Sequence, residues 1–352
     1  MGLKILHTAD WHMDSPFSGF PPEQREWLKA EQRKIPGKIA RLVKAENCDL
    51  VLLSGDVFDS PGARESVPIV REALAGCGVP VLIAPGNHDP LTANSPWLGE
   101  AWPENVYIFI PGVSWVDIPQ LDCRIYGAGY REAESPALLE NFRAEGSARH
   151  KLMVLHGDPL RLRSPYCPVT GAQVRDSGLT YLALGHIHKS GSFPAGDTLC
   201  GWPGCPMGRG YDETGEKGVY ILELGENADL RFLPLDTPRF YDLEADTDEQ
   251  DLESILPPAP SDDFYRVTLT GSGEETLEEL KVRFSRLPRL EFTDNRTEPE
   301  DVWDRMGEDT LEGVYFRLLR QKLDQAEPDD AQQIRMAAEI SQKILTGRKV
   351  SL

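Results

Sequence analysis

Short, continuous apolar runs alternate with amphipathic stretches in the first quarter of the chain, and this alternation leaves few folds open. The three apolar runs end in polar residues and are "LKILHTAD", "DLVLLSGD" and "VPVLIAPGNHD". Between them, "QRKIPGKIARLVKAENC" and "SVPIVREALAGCG" have helical spacing, and the second has a glycine at its end. Continuous apolar runs are typical of strands buried on both faces, so the pattern predicts a βαβαβ unit with a largely parallel sheet.

Further strand candidates follow up to residue 235. They are "VYIFI", "CRIYGAG", "KLMVLHGD", "LTYLALGHIH", "GVYILELG" and "LRFLPL". With this many strands, we expect an α/β fold in which two stacked sheets are flanked by helices. Residues 1–235 are therefore predicted to form the first domain.

The composition changes after residue 235. The stretch "EADTDEQDLESILPPAPSDD" is acidic and proline-rich, which indicates either a linker or a loosely packed start of a second unit. A strand "FYRVTLTG", a helix "EETLEELKVRFSRL" and a strand "RLEFTD" then predict a small α/β module. Thr276 and Glu279 form a capping-box pattern at the start of that helix. We assign the acidic linker and this small domain to residues 236–300.

The last segment, residues 301–352, is predicted to contain two helices separated at Glu327-Pro328. Its apolar residues recur at helical spacing, and they are Leu311, Val314, Tyr315, Leu318, Leu319, Ile334, Ala338 and Ile340 to Leu345. One interpretation is a helical hairpin that packs on its own domain. The other is a docking element for a helical partner.

The net charge restricts how the chain can bind nucleic acid. The 352 residues carry a formal charge of -20, with 57 acidic against 37 basic residues. A protein that coats DNA by charge alone needs a basic face, so this class is disfavoured. A local basic groove, or a metal site that neutralises phosphates, remains compatible with the composition.

Cysteine usage and the N-terminus bear on the compartment. The six cysteines form no Cys-x-x-Cys pair, and free thiols fit a reducing cytosol. The start "MGLKILHTAD" reaches a charged residue at position 10, which is typical of neither a signal peptide nor a membrane span. We therefore expect a cytoplasmic protein without a membrane partner.

Five short motifs lie at or just past predicted strand ends, which is where open α/β sheets bind ligands. They are "ADWH", "GDVFD", "GNHD", "LHGD" and "GHIH", and they contain five of the seven histidines. Carboxylate, imidazole and amide oxygen are ligands that suit Mn, Fe or Zn, and they do not indicate a thiolate site. Asp10 and His12, two residues apart, can face one side if the chain is still extended. One such motif alone is weak, but all five in this order predict a metal site.

This set of motifs resembles the calcineurin-like metallophosphoesterase pattern over residues 1 to about 200. Within that superfamily, "ILHTADWHMDSPF" and "LALGHIHKSGSF" resemble the SbcD-type DNA repair exonucleases, and in particular their YhaO-like branch. SbcD-type nucleases are the catalytic partners of SMC-like ATPases. The resemblance implies a four-layer αββα metallophosphoesterase sandwich with a small α/β cap and a C-terminal helical pair.

The resemblance also implies a pair of divalent metal ions, typically Mn²⁺, with Fe, Zn or Mg as alternatives. The ligands of the first ion would be Asp10, His12, Asp56 and His188. The ligands of the second ion would be Asp56, Asn87, His156 and His186, so that Asp56 bridges the two ions. By the same resemblance, His88 would face the phosphate and act on the leaving oxygen, with Asp89 orienting His88 and Asp59 hydrogen-bonding a ligand.

Several residues near these motifs could contact the substrate. Arg161, Arg163, Lys189 and Arg209 could bind a DNA backbone through charge-assisted contacts, or they could belong to an ordinary surface. The aromatic residues Tyr166, Trp202 and Tyr211 could stack on unpaired bases, although such residues more often serve packing.

Three functions are compatible with the sequence. The favoured one is a metal-dependent DNA nuclease that works with an SMC-like ATPase and, by resemblance, forms a homodimer. The second is a phosphoesterase acting on a nucleotide or another small phosphodiester or phosphomonoester, which would use the same metals. The third is a non-enzymatic subunit with a vestigial site, and the intact ligand set argues against it.

Overall fold

The chain divides into two compact units, Met1–Phe240 and Tyr241–Leu352. The computed structural model describes residues 2–99, 101–226, 228–273, 275–297 and 301–345. Residues 298–300 and 346–352 of the predicted second and third domains lie outside the described residues. The unit boundary follows shortly after the composition change at residue 235, whereas a division between domains at residue 300 stays a prediction.

The described residues contain fifteen strands and seven α-helices, numbered here in chain order. The strands are β1 Leu3–Thr8, β2 Leu50–Leu53, β3 Val81–Ile83, β4 Val106–Ile108, β5 Ser114–Ile118, β6 Cys123–Ala128, β7 His150–His156, β8 Tyr181–Gly185, β9 Gly191–Ala195, β10 Thr198–Trp202, β11 Gly218–Leu224, β12 Ala228–Pro234, β13 Phe240–Asp246, β14 Phe264–Thr270 and β15 Leu290–Asp294. The helices are α1 Pro22–Gln32, α2 Ile35–Ala45, α3 Val67–Cys77, α4 Gly171–Asp176, α5 Leu277–Arg283, α6 Leu311–Leu323 and α7 Pro328–Leu345.

The first unit contains two six-stranded sheets. One has the order β12-β11-β1-β2-β3-β4, and the other has the order β5-β6-β7-β8-β10-β9. Strands β1 to β4 are parallel, as are β6, β7 and β8, while β11 pairs antiparallel with β1. The βαβαβ unit predicted from the sequence is thus present. Parallel strands end at the same edge of a sheet, so the polar residues that follow them are brought close together.

A single apolar layer lies between the two sheets. Ile5 and Leu52 of the first sheet cluster there with Leu152 and Val154 of the second, and all four are fully buried. Because side chains alternate along a strand, Val51 faces the opposite side of the first sheet and is also buried. Both sheet faces are therefore covered, which explains the continuous apolar runs in the sequence.

Helices complete the sandwich on its outer faces. Helix α2 buries one apolar stripe that includes Ile39 and Val43, and α3 ends at Gly78, whose φ of 71° permits the left-handed cap. On the other side, Val174 of α4 clusters with buried residues of β7 and β8. The first unit is therefore the four-layer αββα sandwich that was expected from the sequence.

Truncation of the inter-sheet layer tests this packing. Leu52→Ala removes a fully buried side chain, and we expect it to lower the free energy of unfolding by about 2–5 kcal/mol. Leu162→Ala is the matched control because Leu162 is 77% exposed, and it should change stability by less than about 0.5 kcal/mol. Denaturant unfolding measures both variants. Equal stabilities would contradict the assignment of Leu52 to the core.

The second unit has its own three-stranded sheet, in the order β13-β14-β15. The acidic stretch after residue 240 is not a free linker, because it forms β13 and places Leu252 and Leu256 in the core of this unit. These leucines pack with Val267 of β14 and Leu280 of α5, whose start carries the predicted Thr276 capping box. The small α/β module is therefore present.

Helices α6 and α7 form the expected pair and pack against each other. The hydroxyl groups of Tyr315 and Ser341 lie 2.7 Å apart, and Phe316 and Ala338 are fully buried. Other members of the predicted apolar stripe, such as Leu311, remain exposed. In the described residues, no helix combines the length and the apolar character needed to cross a membrane.

Candidate metal centre

The seven predicted ligands come together where strands of both sheets end. Asp10, Asp56, Asn87 and His186 follow β1, β2, β3 and β8, and His156 is the last residue of β7. The backbone N–H of His186 donates to Asp10 Oδ1 across 3.0 Å, although 176 positions separate the two residues in the chain. The topology, rather than local sequence, creates the cluster.

One half of the cluster is formed by Asp56, Asn87, His156 and His186. The Nε2 atom of His156 lies 2.9 Å from Asn87 Oδ1 and 3.2 Å from Asp56 Oδ2. The Nδ1 atom of His186 lies 3.2 Å from the same Asn87 oxygen. Four side chains thus direct donor atoms at one small volume.

The other half is formed by Asp10, His12 and His188, with Asp56 between the two halves. The Nε2 atoms of His12 and His188 lie 3.2 Å apart, and His12 Nε2 lies 3.8 Å from Asp56 Oδ2. Donor atoms of Asp10, His12 and His188 all lie within 4.8 Å of one another. Asp56 faces both halves, which is the position that a bridging carboxylate requires.

Four of these ligands have left-handed backbone conformations. The φ angles are 54° at Asp10, 46° at His12, 50° at Asp56 and 86° at His186. Non-glycine residues rarely adopt such angles, and clusters of them occur at functional sites. Asp10 and His12 could share a face if the chain stayed extended after β1, and the backbone does not meet that condition. Left-handed turns after β1 bring both side chains to the site instead.

Gly55 allows the strand ends to approach each other. Its φ is 83°, and a Cβ atom there would lie 2.7 Å from His156 Nδ1 and 2.8 Å from the backbone oxygen of Ala84. Both separations are shorter than real Cβ contacts, so a larger residue would displace the chain that carries Asp56.

The orientation of three imidazole rings is fixed by acceptors behind them. The Nδ1 atom of His12 lies 3.1 Å from Asp59 Oδ1, that of His188 lies 2.6 Å from Glu213 Oε1, and that of His156 lies 2.9 Å from the backbone oxygen of Ser54. Each Nδ1 therefore donates its hydrogen outward, so Nε2 is the atom directed into the cluster, where a metal ion would replace any proton that it carries. Without that proton, the ring is the tautomer that a metal ligand needs.

Two buried carboxylates near the predicted ligands, Glu213 and Asp158, were not identified from the sequence. Glu213 lies in "YDETGEKG", a glycine-containing loop that carries no metal motif of its own. Asp158, in "LHGD", is buried with its Oδ2 4.0 Å from His186 Nε2, and its Oδ1 accepts from the backbone N–H groups of Leu160 and Arg161. The one sequence signal for Asp158 is that it follows His156 in the same motif.

The charges in the cluster are strongly coupled. Burial opposes ionisation of Asp56, but the neighbouring His156, His12 and His88 outweigh it and hold the pKa of this carboxyl well below its usual range. Burial likewise opposes charge on His156, yet Asp56 raises its pKa to about 9. For His186, burial and the charge of His156 outweigh the nearby carboxylates and lower its pKa to about 4. A buried anion here needs a cation beside it.

The donor chemistry fits two divalent cations. The cluster offers carboxylate, imidazole and amide oxygen donors, which suit Mn, Fe or Zn. The close approach of Nε2 lone pairs on His12 and His188 is unfavourable unless a proton or a metal ion lies between them. These residues therefore fit the group that the sequence implied.

His88 and Asp89 lie beside the cluster but make different contacts from those expected. The His88 ring packs edge-on against His12, with ring centroids 4.7 Å apart, and its Nδ1 lies 2.9 Å from the backbone oxygen of Asp59. The contact expected between Asp89 and this ring is replaced by the Asp59 carbonyl. His88 is only half-buried, so its side chain is partly accessible to a substrate.

Asp89 instead stabilises the backbone under the site. Its carboxylate is fully buried and accepts hydrogen bonds from four backbone N–H groups, those of Asp56, Val57, Phe58 and Gly86, at 2.7–3.3 Å. Burial and the charge of Asp56 raise the pKa of Asp89 to about 6. Asp89 thus holds the left-handed turn at Asp56 and acts on the site through the backbone.

The predicted substrate-contacting residues fall into two groups. Arg161, Arg163 and Lys189 are exposed and lie close in sequence to the predicted ligands His156 and His188. Arg209 points inward and donates to Asp59 Oδ1 at 3.0 Å and to Glu213 Oε1 at 2.9 Å. The geometry favours a structural role for Arg209 over the phosphate contact expected from the sequence.

The three aromatic residues also differ in position. The Tyr166 ring lies beside His186, with centroids 4.7 Å apart, so it lines the site. Trp202 is buried against Phe193, and the Tyr211 ring packs on Phe240. Of the three, only Tyr166 is placed where it could contact a substrate.

The sandwich and its ligand cluster define a metallophosphoesterase. A family model described as "Calcineurin-like phosphoesterase" matches residues 3–190, and the chain belongs to this family. The family implies hydrolysis of phosphoesters at a dimetal centre.

Curated relatives agree with this class. The chain is 32% identical over 247 residues to "Uncharacterized metallophosphoesterase YhaO" of Bacillus subtilis (strain 168), covering 65% of this chain and 59% of that relative. It is 24% identical over 273 residues to the SbcD component of the SbcCD nuclease of the same organism, covering 64% of this chain and 68% of the relative. The chain thus spans less than two thirds of the YhaO length. The resemblance to both groups is confirmed at modest identity.

Among solved structures, a dimetal phosphatase from Danio rerio is similar with a TM-score of 0.43 and 14% sequence identity. The similarity covers 66% of this chain and 96% of that one.

Proposed function

We propose that this chain is a two-metal phosphodiesterase that cleaves DNA, as the nuclease component beside an SMC-like ATPase. The observation that carries the proposal is the convergence of all seven predicted ligands in one cluster whose histidines are oriented for metal binding. The relatives named as nuclease components support the choice of DNA, and that choice is the finer part of the proposal.

The residues divide between two ions as follows. Asp10, His12, Asp56 and His188 would hold the first ion, and Asp56, Asn87, His156 and His186 would hold the second. We take Mn²⁺ as the physiological metal. When bound, the cations supply Lewis acidity and offset the negative charge that develops on the phosphate. With only two carboxylates among its ligands, the loaded centre keeps a net positive charge that attracts a phosphate.

The chain's own residues would handle the proton and the geometry. The Asp59 carbonyl fixes His88 through Nδ1, so Nε2 is the atom that would give a proton to the leaving oxygen. Asp59 itself holds His12 in the ligand tautomer. Asp89 keeps Asp56 in place through the backbone. Each residue thus has one task that a separate substitution can remove.

DNA would cross the exposed basic residues beside the cluster. Arg161 and Arg163 alternate with two exposed leucines on a loop that Asp158 holds at its base. Among the described residues, neither guanidinium has an ion-pair partner, in a chain of net charge -20. Their charges are therefore available for phosphate oxygens.

The double variant Arg161→Gln with Arg163→Gln tests this contact. We expect weaker binding to DNA of every sequence. The magnitude of the slope of log K against log salt concentration should decrease by about 2, since each lost phosphate contact removes about 1. Arg143→Gln with Arg149→Gln is the control because both of these arginines are exposed elsewhere on the unit. Binding titrations at several salt concentrations would contradict the contact if the two double variants behaved alike.

The C-terminal helices are the proposed contact for the ATPase. Leu311 is 86% exposed and Leu318 is 55% exposed, so α6 presents apolar surface that a helical partner would cover. Co-purification with the ATPase should fail for the double variant Leu311→Asp with Leu318→Asp.

A homodimer is a further proposal, carried by resemblance alone, and sedimentation measurements test it.

The second candidate is a phosphoesterase for a nucleotide or another small phosphoester. The net charge of -20 favours it, because a small substrate needs no extended basic surface. Parallel assays with linear DNA, cyclic nucleotides and bis-p-nitrophenyl phosphate separate the two. Turnover of nucleotides with intact DNA would favour the second candidate, and cleavage of DNA would favour the first.

A further inference from the structure

The two halves of the cluster are oriented by different means. The ring of His156 is held by the backbone oxygen of Ser54. The Nδ1 atom of His186 lies within hydrogen-bonding distance of Asn87, and its Nε2 atom faces Asp158. His12 and His188 are held instead by two side-chain carboxylates, Asp59 and Glu213, which belong to separate segments. The half that contains His12 and His188 therefore depends on a side-chain network.

Arg209 joins those two carboxylates. Its Nη1 donates to Asp59 Oδ1 at 3.0 Å, and its Nη2 and Nε lie 2.9 and 3.3 Å from Glu213 Oε1. The backbone N–H of Arg209 also donates to Glu213 Oε2 at 2.9 Å. All three guanidinium nitrogens are thus engaged, and the side chain is only 24% exposed. A planar fork is the geometry that can span two carboxylates at once.

We propose that Arg209 is a positioning residue that sets the metal affinity of the half formed by Asp10, His12 and His188, and leaves the other half unaffected. Through Asp59 it fixes His12, and through Glu213 it fixes His188. This inference rests on the proposed ligand assignment. It adds that binding of the first ion depends on Arg209, whereas binding of the second ion does not.

The sign of the effect separates positioning from simple electrostatics. Arg209→Gln removes a positive charge near the centre, and by Coulomb's law alone that change should strengthen the binding of a divalent cation. Positioning predicts the opposite, since orienting partners of metal ligands are typically worth 10–100-fold in metal affinity. Arg209→Lys keeps the charge but lacks the fork, so positioning predicts a loss there as well.

The experiment measures Mn²⁺ affinity by equilibrium dialysis in two backgrounds of the full-length chain. His186→Ala disables the second half and His188→Ala disables the first, so each background reports on one ion. We expect Arg209→Gln to weaken Mn²⁺ binding 10–100-fold in the His186→Ala background. In the His188→Ala background we expect Arg209→Gln to change Mn²⁺ affinity by less than about threefold. Arg209 makes no described hydrogen bond to the ligands of the second half.

Controls keep the outcomes separable. Arg231→Gln removes the same charge from an exposed pair with Glu46 and should leave both affinities unchanged. Circular dichroism of each variant shows whether the fold is retained, and if Arg209→Gln unfolds, Arg209→Lys supplies the same comparison. Equal losses in the two backgrounds, or tighter binding, would overturn the role of Arg209. If neither His186→Ala nor His188→Ala lowers the metal content, the ligand assignment itself is wrong.

Discussion

Asp56→Asn is expected to remove both metal ions and to lower kcat/KM for phosphodiester cleavage by about 1,000-fold or more. Asp56 is buried between the two halves of the cluster, 3.2 Å from His156 Nε2 and 3.8 Å from His12 Nε2. Asparagine keeps the shape but cannot supply the negative charge that both cations share. The loss corresponds to several kcal/mol of transition-state stabilisation, at about 1.36 kcal/mol for each tenfold.

The control for Asp56→Asn is the same isosteric change at an exposed carboxylate. Asp117 pairs with Arg124 at 2.7 Å on β5 and β6, away from the cluster. Asp117→Asn should retain two ions per chain by elemental analysis and full activity. If Asp56→Asn kept both ions and wild-type activity, Asp56 would not be a bridging ligand.

His88→Ala is expected to lose activity while it keeps both metal ions. The ring is held by the Asp59 carbonyl and lies beside His12, but His88 is not among the predicted ligands. Loss of a general acid typically costs about 10²–10⁴ in rate. We expect this loss in kcat, with a smaller change in KM, in steady-state kinetics on a dinucleotide phosphodiester, whose alkoxide leaving group needs a proton.

Metal content decides how the result at His88 is interpreted. One structural observation makes the measurement necessary, because donor atoms of His12, Asp56 and His88 lie within 4.8 Å of one another. His188→Ala should lose an ion and activity together. If His88→Ala also lost an ion, His88 would be a ligand, and the leaving oxygen would have to be protonated by another group.

The part of the fold that lies between the sheets was predictable because its pattern is local. Strands buried on both faces gave continuous apolar runs, and Gly78 marked the end of α3. Strand β5 was not predicted, since its residues are only partly buried and carry no continuous run. Helix α1 was also not predicted, because Leu28 is the only apolar residue it buries.

The candidate site also has a part that the sequence predicts and a part that it does not. The predicted ligands could be selected from the sequence because each motif combines a side chain of a metal-binding type with a strand end. Glu213 and Arg209 were not assigned their contacts, because these arise between segments that are distant in sequence, as Arg209 and Asp59 are. The left-handed turns at Asp10 and His12 were also missed, since spacing alone cannot distinguish them from an extended strand.

Cleavage of a defined linear DNA is the most direct measurement of the central claim. The purified chain, loaded with Mn²⁺, is incubated with end-labelled single- and double-stranded DNA, beside Asp56→Asn and a sample treated with EDTA. We expect metal-dependent cleavage by the wild-type chain and none in the other two samples. Intact DNA at every pH tested, from a chain that holds two ions and hydrolyses small phosphodiesters, would contradict it.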